Sequence, residues 1–129
     1  MNAPALTLAV VPGRVAICRI PRDGAIPCWA LRAPFFSVTG TADEISVVAS
    51  EANLPDDVSA DVGWRALGIE GALPLALTGI LVSIAHPLAE AKIAIFAIST
   101  HDTDYLLVKE TDLGRTAEVL TRAGHRVRT

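Results

Sequence analysis

Cysteine is almost absent from this chain of 129 residues: only Cys18 and Cys28 are present. No histidine lies near either one, so neither a disulfide framework nor a zinc-ligand spacing is legible, and both are expected as buried thiols. Positive charge is also sparse, with 11 Lys and Arg against 14 Asp and Glu for a formal net charge of −3. Only the tail Arg122, His125, Arg126 and Arg128 gathers cations, and it reads as a solvated terminus. A nucleic-acid partner requires a larger cationic face. Long hydrophobic runs are missing as well. Residues 73–85 are too few to span a bilayer, and His86, Glu90 and Lys92 follow them, which suits a buried amphipathic helix. The start, Met1-Asn2-Ala3-Pro4, lacks the basic segment of a secretory signal. These absences together set the expectation of a cytoplasmic protein with no membrane or nucleic-acid partner.

What is present is a folding composition, 51% hydrophobic and 19% charged, enough for one ordinary domain or two small modules. Residues 6–11 and 15–20 read as strands, placed to form a hairpin around Pro12-Gly13. Pro27 and Pro34 bracket a single helical turn at Trp29 and Leu31. Strands are expected at 35–39 and 45–50, the second alternating Ile45, Val47 and Ala49 against Ser46, Val48 and Ser50. The Thr41 hydroxyl is placed to cap the turn between them. The linker-like stretch 53–61 marks a module boundary, giving modules 1–60 and 61–129. Trp29 and Trp64 serve as core or intermodule anchors.

The second half has a clearer rhythm. A strand at 62–69 precedes a helix whose Ile80, Ile84 and Leu88 recur every four residues, widened by Leu81 and Ala85. Thr78 or Ser83 is its candidate cap. Pro87 removes the hydrogen bond to Ser83, and His86 reads as a histidine at the edge of the core. Lys92 reverses the chain where glycine is easier, so positive φ is expected there. Strands at 92–98 and 105–108 follow. A helix from Thr111-Asp112 carries Leu113, Ala117 and Leu120 and stops at Gly124, and Val127 closes the sheet as an edge strand. The order β-α-β-β-α-β is that of a split βαβ sandwich, an α+β fold.

Between the two strands of that half lies Ser99-Thr100-His101-Asp102-Thr103-Asp104, longer and more polar than a strand reversal needs. A carboxylate at the entry of a buried strand, as at Asp104, must be hydrogen-bonded or meet a cation. Asp104 is therefore the first candidate for a ligand's ammonium, against the alternative that it caps its own loop. Thr100 and Ser99 offer hydroxyls or amides to a carboxylate or close the strand end. Thr103 is expected to bond within the loop and Asp102 to face water. His101 offers a stacking surface that titrates near neutrality. Gly79, preceded by Thr78, opens the first helix, where free amides and the helix dipole attract an anion. Its alternative role is to permit close packing. Gly71 supplies an unusual backbone angle nearby.

The segments Leu77-Thr78-Gly79-Ile80-Leu81, Leu88-Ala89-Glu90 and 95–108, with the Ser-Thr-x-x-Thr-Asp string, resemble the small tandem ACT-domain proteins. Those proteins are related to the regulatory domains of aspartate kinase and to the cytosolic arginine sensors of animals. Ile20-Pro21, Trp29 and Phe35-Phe36-Ser37-Val38-Thr39 resemble the family's N-terminal half more loosely. The resemblance implies tandem ferredoxin-like modules, the first shortened and strand-rich. It also implies a noncatalytic regulatory or sensor role, binding an amino acid without a cofactor or metal. Its ligand site falls on the loop from Glu70 to Gly79, facing Ile98 to Asp104 and the region of Ser37 to Thr39. In the related sensors the residue matching Asp104 contacts the ligand. The family's usual aromatic is here His101, and the loop 72–77 is entirely apolar where relatives often carry an acid near Pro74. A homodimer is compatible with the resemblance. Two other classes stand beside it: a structural dimerisation module with a vestigial pocket, and a metal-dependent hydrolase using His101, Asp102, Asp104 and Glu110. Adjacent His101 and Asp102 would point oppositely on a strand, and no nucleophile-base arrangement supports the hydrolase.

Overall fold

The computed structural model describes residues 4–74 and 78–129. In chain order these form β1 (Thr7–Val10), β2 (Val15–Ile20), a 3-10 turn (Cys28–Leu31), β3 (Ser37–Gly40), β4 (Ile45–Ser50), a second 3-10 turn (Glu51–Asn53) and β5 (Asp61–Ile69). Then come α1 (Ile80–Glu90), β6 (Phe96–Ser99), β7 (Asp104–Lys109), a 3-10 turn (Glu110–Asp112), α2 (Leu113–Arg122) and β8 (Arg126–Arg128). The chain divides into two compact units, one formed by 13–64 and the other by Arg65–Thr129 with the segment before Gly13.

The 13–64 unit is a small antiparallel sheet. Strand β2 pairs with β4 along its whole length, from Val15↔Ser50 to Ile20↔Ile45, and β4 pairs with β3. The first residues of β5 pair with β2 on its other side, Val15↔Trp64 and Ile17↔Asp61. The alternation expected of β4 holds, because Ile45, Val47 and Ala49 share one core with Cys18 and Ala30. Between the prolines the backbone makes one 3-10 turn over Cys28–Leu31 and no longer helix. Thr41 Oγ1 accepts the amides of Asp43 at 3.2 Å and Glu44 at 3.1 Å, closing the β3–β4 turn as its position predicts. Cys28 departs from expectation: Cys18 is buried, but Cys28 is exposed, since the short turn presents its first side chain outward.

The other unit has the βαββαβ order from β5 to β8, with one addition. Strand β1 pairs antiparallel with β5 (Leu8↔Ile69) and parallel with β8 (Leu8↔Val127). The local order is thus β6-β7-β5-β1-β8. No β1–β2 hairpin forms at Pro12-Gly13. Burial explains the difference, because Leu8 is fully buried in a core shared with Leu67, Ile69, Leu106, Val108 and Leu120. Both helices cover the same sheet face, and Ile80, Ile84 and Leu88 supply the stripe of α1 to that core. Leu81 does not widen it and is exposed instead, as is Val82.

Both helices end alike. At α2 the amide of Gly124 bonds Thr121 O at 3.0 Å and that of His125 bonds Leu120 O at 2.9 Å, with Gly124 at φ 100°. At α1 the amide of Lys92 bonds Ala89 O at 3.0 Å and that of Ile93 bonds Leu88 O at 3.0 Å, with Lys92 at φ 60°. These are Schellman motifs, in which a left-handed residue lets two terminal carbonyls be satisfied. The left-handed position falls to lysine in α1, as the missing glycine predicted. The reversal consumes residues 91–95, so β6 starts at Phe96 rather than at Lys92.

The expectations for His86 and for the tail change. His86 is exposed and meets Glu90 at 3.5 Å. Two residues beyond Ile84 lies the far side of a helix, away from the stripe. In the tail, Val127 lies in the expected short strand Arg126–Arg128 and the arginines are exposed, but His125 is buried and Arg128 pairs with Glu70.

Candidate functional site

The site is built where β5 leads into α1 and where β6 turns into β7. Strands β6 and β7 pair up to Ser99↔Asp104, which leaves residues 100–103 as the turn. That turn is closed by its own polar groups. Thr100 N–H donates to Thr103 O at 2.8 Å, Thr100 Oγ1 donates to the same oxygen at 3.1 Å, and Thr103 N–H donates to Thr100 Oγ1 at 3.1 Å. Two further bonds tie it to the β5–α1 loop. Leu73 N–H donates to Asp102 O at 2.6 Å, and Thr103 Oγ1 donates to Ile69 O at 2.8 Å. The Thr103 hydroxyl therefore reaches out of its loop, while its amide and carbonyl bond within.

Asp104 opens β7, half-buried, and its Oδ1 accepts from Ser99 Oγ at 2.6 Å. Ser99 supplies its hydroxyl, not its amide, to that carboxylate. No other partner of Asp104 is seen among the described residues, so Oδ2 can still accept. His101 and Asp102 are both strongly exposed, with Nδ1 and Oδ1 2.9 Å apart.

Helix α1 begins without a side-chain cap. Its cap residue is Gly79, at φ 80°, so Thr78 does not fill that role. The first internal bond runs from Ser83 N–H to Gly79 O at 3.0 Å, which leaves the amides of Ile80, Leu81 and Val82 without helical acceptors. These amides and the 99–104 turn share a cavity of about 340 Å³, lined also by Leu73, Pro74 and Gly79. The structure thus brings Asp104, Ser99, Thr100, His101 and Gly79 to one place, within the C-terminal unit alone. Gly71 and Glu70 line a separate hollow of about 350 Å³ with Asp102, Thr103 and Tyr105. Glu70 is engaged there by Arg128, which the carboxylate holds more firmly protonated. Ile98 and Thr78 line neither. Residues 75–77 of the expected loop lie outside the described residues, as do residues 1–3 of the start.

Leu81 and Val82 were missed as site residues. Their sequence signal was phase: Leu81 falls beside the Ile80-Ile84-Leu88 stripe and Val82 on the far side from it, so an outward position was available to them.

The ACT-domain family profile matches residues 59–122, and a second profile, for an N-terminal domain, matches 13–57. The chain is similar to the human protein CASTOR3P, 33% identical over 95 residues, covering 64% of this chain and 58% of that one. It is also similar to the mouse protein named cytosolic arginine sensor for mTORC1 subunit 1, 28% identical over 130 residues, covering 84% of this chain and 39% of that one. It therefore spans between about two fifths and three fifths of the length of these two relatives. Among solved structures, protein Atu0741 of Agobacterium tumefaciens is 40% identical with TM-score 0.91, over 97% of this chain and 93% of that one. The Clostridium acetobutylicum aspartate kinase shares the fold at 14% identity, TM-score 0.66, over 96% of this chain and 36% of that one.

The chain is an ACT-domain protein. It is related to the regulatory domains of aspartate kinases and to the arginine-sensor family. ACT domains are noncatalytic modules that regulate by binding ligands. Among the described residues, no group of three His, Cys, Asp or Glu side chains is placed to hold a metal, and no helix is long and apolar enough to cross a membrane.

Proposed function

We propose that the C-terminal module is an amino-acid sensor working in the cytoplasm, with the α-carboxylate of its ligand on the first-turn amides of α1 and the ammonium at Asp104. The observation that carries this reading is the cavity itself. Ile80, Leu81 and Val82, whose amides lack helical acceptors among the described residues, and Asp104, bonded there through Oδ1 alone, line one space of about 340 Å³. A zwitterion needs one donor cluster and one anion, and a helix N-terminus supplies the first through its amides and dipole. The volume is near the lower end of the roughly 300–1,000 Å³ typical of small-molecule pockets, which suits a single amino acid better than a nucleotide. Thr100, whose hydroxyl and amide both bond to Thr103, shapes the turn, and Ser99 orients the Asp104 carboxylate. From the relatives, the term arginine sensor carries over as a class of ligand, and cytosolic as a location.

Calorimetry on the whole chain against each amino acid, repeated with Asp104→Asn and Asp102→Asn, tests the reading. Losing a charged hydrogen bond in a sheltered pocket costs about 1.5–3 kcal/mol, or roughly ten- to a hundredfold in Kd. Asp104→Asn is expected to lose that much and Asp102→Asn little. Equal affinities for the two variants reject the role of Asp104.

A further inference from the structure

The charged groups on the cavity wall are few and already committed. Asp104 is assigned to the ammonium, and Asp102 meets His101 Nδ1 at 2.9 Å. Among the described residues, no lysine or arginine lines the space, and no third carboxylate does. Glu70, the next acid along the chain, lies on the other hollow and is held by Arg128. A guanidinium or ammonium at the end of a ligand side chain would find only Asp102, which is strongly exposed and engaged by His101, and a ligand carboxylate would find no lysine or arginine among the described residues. A charge is costly to desolvate under either condition.

Opposite the polar turn residues Ser99, Thr100 and Thr103, the β5–α1 side of the wall is apolar. Leu73, Leu81 and Val82 face the same space as the free amides of α1, and Leu81 and Val82 are 37% and 43% exposed. Single exposed apolar side chains are ordinary. These two are consecutive, lie off the buried stripe, and stand where a ligand held by the α1 amides would extend its side chain.

We infer that the cavity selects an amino acid with an uncharged, branched apolar side chain, of valine or leucine size, and discriminates against arginine. This rests on the amino-acid reading above. The side chain is covered by Leu73, Leu81 and Val82, and selectivity comes from apolar contact together with the lack of a sheltered counter-ion.

The experiment is calorimetry of the full chain with L-leucine, L-valine, L-alanine, L-arginine and L-glutamate as separate probes. Leucine or valine is expected to bind at least about tenfold more tightly than alanine, arginine or glutamate, the discrimination that methylene-scale contacts provide. Val82→Ala, at an exposed helical position that tolerates alanine, separates contact from fold. It is expected to weaken leucine about five- to tenfold and leave alanine unchanged. Arginine binding as tightly as leucine, or Val82→Ala weakening both probes equally, overturns this inference and leaves the amino-acid reading standing. Absence of saturable binding by all twenty amino acids overturns both.

Discussion

His125 Nε2 lies 3.2 Å from the carbonyl oxygen of Ser83, the acceptor that Pro87 deprives of its helical amide. On its other side, His125 Nδ1 accepts the amide of Leu6 at 3.1 Å. That bond assigns the proton to Nε2, because Nδ1 must offer a lone pair. One buried imidazole thus satisfies a carbonyl that proline leaves open in α1 and the entry to β1.

Removing it leaves two sheltered polar groups unpaired. His125→Ala is expected to destabilise the protein by about 1–3 kcal/mol, read by urea unfolding. Pro87→Ala restores an amide for Ser83. In that background the cost of His125→Ala is expected to fall by about 0.5–1.5 kcal/mol, the net worth of one hydrogen bond. An identical cost in both backgrounds would show that the imidazole does not compensate for the proline.

Lys92 holds the left-handed position that Gly124 holds at the end of the second helix. Lys92→Gly is expected to stabilise by up to about 1 kcal/mol, and Gly124→Ala to destabilise by about 1 kcal/mol. Thermal unfolding of the two variants should move in opposite directions.

Gly68 lies under the Tyr105 ring, where an added Cβ would stand 2.5 Å from Cε2. Gly68→Ala is expected to cost about 1–3 kcal/mol through overpacking. Pairing it with Tyr105→Ala should cost less than the sum of the two single changes. Strict additivity would refute the contact.

The two thiols should differ in reactivity. Cys18 is 3% exposed, and burial pushes its thiol up from the ordinary range, which lowers the thiolate fraction at neutral pH. A thiol reagent added to native protein should modify the exposed Cys28 and reach Cys18 only on unfolding. Mass spectrometry of the labelled peptides decides the order, and equal labelling of both in the native state contradicts the burial.

Features governed by neighbours along the chain were readable from it. The stripe Ile80-Ile84-Leu88, the strained Lys92, the stop at Gly124 and the cap at Thr41 each follow from a few consecutive residues. The position of His86 was readable too, since helical phase alone puts it opposite Ile84 and Leu88. Partners distant in sequence were not readable. Nothing near Leu8 indicates that it pairs with Ile69 and Val127 rather than with β2, and nothing near His125 announces Ser83 or Leu6. At the site, Asp104 and the helix entry at Gly79 stood out as charge and conformation. Leu81 and Val82 did not, because an apolar residue in an apolar helix looks like core until its burial is known.

The insertion of β1 between β5 and β8 has a consequence for biosynthesis. Of the elements described, β1 is translated first, yet one of its two neighbours is β8, which emerges last. The intervening unit, 13–64, has local antiparallel pairings and can organise while β1 waits. Contacts of such sequence separation form slowly, because loop closure precedes any reward from pairing. The C-terminal sheet is consequently completed only after β8 has emerged from the ribosome. Deleting either β1 or β8 removes a strand from that same sheet.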